Sequence, residues 1–101
     1  MKQVIVLSVK DFESELQNVL KGLEIPVFSK VDIEGCRNTN GSVDLSNWFA
    51  RSKDPDFSVM YFTFVLDEMA DQILDAIEEW NKKKGSQNPM HAYLLPVERS
   101  V

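Results

Sequence analysis

One cysteine and one histidine are all that the 101 residues supply of the two side chains most used for metal binding and nucleophilic catalysis. Cys36 has no partner for an internal bridge. There is no HExxH, no GxSxG, no Walker-type glycine loop and no cysteine pair, so hydrolase and metalloenzyme readings lack their parts. Glycine and proline number four each, too few for a collagen-like or disordered chain. Positive charge is also short. Eleven Lys plus Arg stand against 16 Asp plus Glu, a net charge of −5 with a pI near 4.7. That field repels phosphate backbones and removes the main driving term for non-specific nucleic-acid binding. No apolar run approaches the roughly 18 residues of a membrane span, and the start MKQVIVLSVKDFE turns acidic without a small-residue cleavage site. Together these absences predict a cytoplasmic, non-enzymatic protein with no membrane insertion, its thiol kept reduced.

What is present reads as one domain over 1–101, with 44% hydrophobic residues and enough chain to bury a core without disulfides or metals. Gln3 to Val9 (QVIVLSV) is β-branched and aliphatic on both sides of the pleat, the pattern of a central strand. Asp11 is placed to cap a helix whose apolar positions Phe12, Leu16, Val19, Leu20 and Leu23 form one stripe, closed by Gly22 and Pro26. From Val27 to Glu34 the chain alternates, with Val27, Ser29, Val31 and Ile33 on one side and Lys30, Asp32 and Glu34 on the other. Phe57 to Leu66 (FSVMYFTFVL) is the strongest strand, apolar on both faces. Asp67 then caps a second helix with Met69, Ile73, Leu74, Ile77 and Trp80 on one stripe. A basic loop over 81–90 and a last strand from His91 to Val97 follow.

The order strand, helix, strand, strand, helix, strand predicts an α+β, ferredoxin-like βαββαβ sandwich: a four-stranded antiparallel sheet with two helices on one face. Two helices cover only one side of such a sheet, yet its inner strands are apolar on both. A bare face of that kind exceeds what a monomer tolerates, which predicts self-association. The competing reading folds the long loop back over the sheet within one chain.

That loop, 35–56, shows neither helical nor strand period, and structureless segments of this length are usually functional or disordered. Trp48 and Phe49, followed by Arg51, have the composition of a protein-binding hot spot. Equally, the two rings could tuck onto their own domain. Cys36 stands beside Arg37, which would lower its pKa, or is simply a small residue at a turn. Lys82, Lys83 and Lys84, ahead of Gly85, are the one concentration of positive charge. They could hold an anion, or they could only complement a helix dipole in water.

FVLDEMADQILDAIEEW, HAYLLPVER and above all its LPVE resemble the second strand–helix unit and closing strand of the nitrogen-regulatory PII signalling superfamily, over nearly the whole chain. The resemblance implies a homotrimer whose sheets pack around a threefold axis. It further implies a small effector, ATP, ADP or another adenine nucleotide or anion, held in clefts between subunits. A long T-loop, here 35–56, would dock onto a target such as a transporter or enzyme. Ser29 lies where the family reads adenine, Gly35, Cys36 and Arg37 where the T-loop base meets the nucleotide, and Lys83, Lys84 and Gly85 in the place of its B-loop. Phe62 stands where the family has an acid on the third strand, and 35–56 contains no tyrosine for uridylylation. The alternative is a metal-tolerance trimer of the CutA type on the same fold, although the soft ligands are scattered along the chain.

Overall fold

The structure, a computed structural model, describes residues 1–35 and 56–101. Their elements are β1 (Lys2–Val9), a 3-10 turn (Lys10–Phe12), α1 (Glu13–Gly22), β2 (Ser29–Gly35), β3 (Asp56–Val65), α2 (Asp67–Lys84) and β4 (His91–Pro96). All neighbouring strands run antiparallel in the order β2-β3-β1-β4. This is the expected ferredoxin-like βαββαβ sandwich. β1 lies inside the sheet because it is the most evenly apolar strand, paired with β3 on one side and β4 on the other.

Period two sorts the side chains into two faces. Val4 and Val6 of β1 stand beside Tyr61 and Val59 of β3 and meet Leu16 and Leu20 of α1 and Ala70, Ile73 and Ile77 of α2. This layer is the core, with Leu16, Val59, Ala70 and Ile73 fully buried. Phe12 and Trp80 close the seam between the helices edge to face, ring centroids 5.2 Å apart.

Several local expectations need correction. Asp11 falls inside the 3-10 turn rather than capping α1, and Leu66, not Asp67, precedes α2; neither helix start has a side-chain cap. Asp67 and Glu68 instead sit in the first turn of α2, where the helix dipole favours them. The reversal after α1 is made by Glu24, at φ 58°, not by Gly22. β2 begins at Ser29 rather than Val27, whose carbonyl accepts a 2.6 Å bond from Thr63 Oγ1.

The largest difference concerns 81–90. α2 continues through Asn81–Lys84 and ends at Gly85, whose φ of 58° suits glycine, so only 85–90 is loop. Two forces favour the extra turn: Lys82 and Lys83 pair with Glu78 and Glu79 at i,i+4, and the three lysines complement the helix C-terminus. Asn81 fixes the return. Its Nδ2 donates to the Met90 carbonyl at 2.8 Å and its Oδ1 accepts from the Met90 N–H at 2.9 Å.

Ile73→Ala, at a fully buried position between α2 and the sheet, should lower unfolding stability by about 2–5 kcal/mol in a denaturant titration. A loss near zero would mean that α2 is not the cover of this core.

Candidate functional site

Neither helix covers the other face of the sheet, although Leu7 and Ser58 are buried on it. It carries Gln3, Ile5, Leu7 and Val9 of β1, Ser58, Met60, Phe62 and Phe64 of β3, Val31 and Ile33 of β2, and His91, Tyr93 and Leu95 of β4. Phe64 is 54% exposed, Val31 45%, and Tyr93 and Leu95 39% each. Phe62 and Phe64 stand edge to face at 6.3 Å, and Ile5, Leu7, Ile33, Met60 and Leu95 line a shallow apolar concavity. β2 is the telling strand. Its apolar residues point to this open side, while Lys30, Asp32 and Glu34 occupy the side the helices share. An edge strand covered only by its own helices would be arranged the other way round.

Two ion pairs brace β2 against the connection between β1 and α1. Lys10 Nζ is 3.0 Å from Asp32 Oδ2, and Lys30 Nζ donates to Glu13 Oε2 at 2.8 Å. Glu13 Oε2 also accepts from the hydroxyl of buried Tyr61 at 2.9 Å, and that hydroxyl accepts from Gln17 Nε2 at 2.6 Å. The Lys30 hydrogen bond, against the opposing effect of burial, holds the Glu13 carboxyl below its ordinary 4.5. Glu13 in turn raises the Lys30 ammonium, and burial raises the Tyr61 phenol. The sequence hid this network, because Tyr61 reads as one more apolar residue in an alternating strand.

β2 ends at Gly35, which pairs with Asp56, so the intervening segment leaves and rejoins the sheet at one point. Ser58, buried two residues further along β3, has a hydroxyl without a hydrogen-bond partner among the described residues. Ser29 and Gly35 share the open face of β2 but lie about 20 Å apart along the strand, six rises of ~3.3 Å. Cys36, Arg37, Trp48, Phe49 and Arg51 lie outside the described residues.

The lysines are elsewhere. Lys82 and Lys83 reach Glu78 and Glu79, while Lys84 reaches Glu15 at 3.6 Å and lies over the Phe12 ring at 5.2 Å. They belong to the helix layer, and β4, which follows their loop, lies on the opposite sheet edge from β2, about 14 Å away at ~4.8 Å per strand. One chain therefore does not bring Lys83, Lys84 and Gly85 together with Ser29 and Gly35. Among the described residues no group of three His, Cys, Asp or Glu is arranged to hold a metal ion, and no helix is long and apolar enough to cross a membrane.

No protein-family profile and no curated protein matches the sequence. The fold does have a solved counterpart. The crystal structure of a protein described as PII-like and signalling, from Thermus thermophilus, superposes with a TM-score of 0.62 at 22% identity, over 92% of this chain and 82% of that one. At that identity the likeness is one of architecture.

Glu13 supplies a pH test of the brace on β2. Because its folded pKa lies below 4.5, its contribution is complete above that value and is lost as the pH falls through the depressed one. Glu13→Gln should therefore cost stability near neutrality yet flatten the acid limb of the stability profile below about pH 4.5. Parallel acid limbs for the two proteins, measured by chemical denaturation, would remove Glu13 from that role.

Proposed function

We propose that this protein is a PII-like regulator, a homotrimer that senses a small anionic effector in its intersubunit clefts and passes the signal to a target protein. The observation that carries this reading is the uncovered sheet face, to which all four strands contribute apolar side chains and towards which edge strand β2 turns its Val31 and Ile33. Packing such faces against one another around a threefold axis would remove them from water and would bring the β2 edge of one subunit towards the loop edge of the next. Contact between copies is also what the separation of the candidate site residues asks for. Ser29 and Gly35, with Cys36 and Arg37 beyond them, would meet Lys83, Lys84 and Gly85 of a neighbour rather than of their own chain.

The effector class follows from charge. Lysines and an arginine at a cleft in an acidic protein suit a phosphate-bearing ligand, and an adenine nucleotide such as ATP or ADP fits the resemblance. Lys83 is already held by Glu79, so an anion must compete with a solvated pair, a modest cost at an exposed site. Transmission needs no chemistry. A ligand that touches Gly35–Arg37 binds one arrangement of the following segment better than another, and this changes how Trp48, Phe49 and Arg51 meet a transporter or enzyme. Moving such an equilibrium from mostly one state to mostly the other takes about 5 kcal/mol of differential affinity, within reach of a few charge-assisted hydrogen bonds.

Sedimentation velocity on the purified chain should show a trimer, and Leu95→Lys, an exposed substitution on the open face, should weaken association at least about tenfold while leaving the circular dichroism unchanged. A wild-type chain that remains monomeric would overturn the reading.

Calorimetry tests the effector separately. ATP or ADP should bind, and Lys82/Lys83/Lys84→Ala should weaken that binding by about tenfold or more, the worth of one charge-assisted contact. Absence of binding by ATP, ADP, AMP and cyclic nucleotides alike would remove nucleotides as the effector.

A further inference from the structure

His91 is the only histidine of the chain, and it stands on a sheet face that is apolar around it, its one acid by register being Asp56 at the start of β3. Its position is fixed from both sides. Met90 before it is gripped by the Asn81 side chain through two hydrogen bonds, and His91 itself pairs with Leu7 of β1. Across the open face it looks onto Leu7, with Ile5 and Val9 diagonal on β1, Tyr93 on its own strand, and Met60 and Ser58 one strand further. The Tyr93 phenol is the other titratable group near His91 on this face, and the one charged residue that shares the face by register is Asp56. Asp56 opens the inner strand β3 four residues, about 13 Å at ~3.3 Å per residue, before Met60, and lies two strands away from His91. The charged side chains of the region, Lys82 to Lys84 with Glu78, Glu79 and Glu15, belong to the helix layer behind the sheet.

We propose that His91 makes self-association of this chain acid-sensitive, the neutral imidazole being compatible with a second copy packed on the open face and the protonated one opposing it. The proposal rests on the self-association put forward above and adds a control to it. An imidazolium at that position would be trapped between two apolar surfaces with no counter-charge of its own chain within ion-pair reach, a costly way to bury a cation. The unassembled chain already leans this way, since burial alone holds the His91 pKa below its ordinary 6.5. Covering the face would depress it further. By linkage, the assembled state then binds fewer protons than the free subunit. Association is therefore at full strength above the free subunit's pKa and weakens as the pH falls through it. The window lies where histidine, and few other groups, changes charge.

Sedimentation velocity of the wild-type chain and His91→Gln at about pH 8 and about pH 5.5 reads the effect, because the two proteins share every other titrating group. Acid should weaken wild-type association by about tenfold or more, the equivalent of one pKa unit in one subunit, and should leave His91→Gln much less affected. Equal responses in the two proteins overturn the proposal. The imidazole proton resonance of the single histidine gives a second reading that needs no variant. Its apparent pKa should be lower in concentrated than in dilute solution, and a pKa independent of concentration overturns the proposal. Failure of the underlying reading looks different: wild type is then monomeric already at about pH 8 and about 100 µM, and the switch falls with the assembly it controls.

Discussion

Everything in this molecule turns on a mismatch of cover: a four-stranded sheet, apolar on both sides of its inner strands, has two helices to shelter it. β1 and β3 are the source of the mismatch. Val4, Val6, Val59 and Tyr61 face the helices and reach near-complete burial, while Ile5, Met60, Phe62 and Phe64, interleaved between them, face nothing from either helix. Each residue turned outward is as hydrophobic as its neighbour turned inward, so the free energy that builds the core is available a second time on the other side. A strand used only in a two-layer monomer would carry polar residues there.

The edge strands show how that second face is managed. On β2 the charged residues stand on the helix side, where α1 reaches only far enough for Glu13 to pair with Lys30, and the apolar ones stand on the open side. The brace through Glu13, Tyr61, Gln17, Lys10 and Asp32 then fixes the strand whose last residue, Gly35, opens the segment that the resemblance assigns to target binding. Sheet pairing, ion pairs and loop base thus form one mechanical unit.

The architecture was legible in the sequence because its two periods are unusually clean. Alternation in FSVMYFTFVL separates the two faces of β3, and the stripe Met69, Ile73, Ile77 places α2 on the core. What escaped was whatever depends on interactions between elements. Asn81–Lys84 look like a polar loop until Glu78 and Glu79 are seen one turn behind the lysines and Asn81 is seen to grip Met90. Glu24 takes the left-handed conformation that composition would give to Gly22. The candidate site was legible as residue types but not as a place. Ser29 and Gly35 share one face of β2, whereas the lysines lie in the other layer, and no periodicity along the chain shows which layer a residue type will join.

The same pattern decides how copies can meet. An exposed sheet edge invites strand-to-strand pairing, which propagates into fibres. Here the β2 edge carries Lys30, Asp32 and Glu34, and β4 ends at Pro96, which has no donor for a further strand. Charge of both signs along one edge and a proline closing the other discourage edge-on growth, whereas the apolar open face rewards contact face to face. Face-on packing, unlike edge-on pairing, uses up the surface that drives it, so the pattern of this sheet favours closed assembly over open growth.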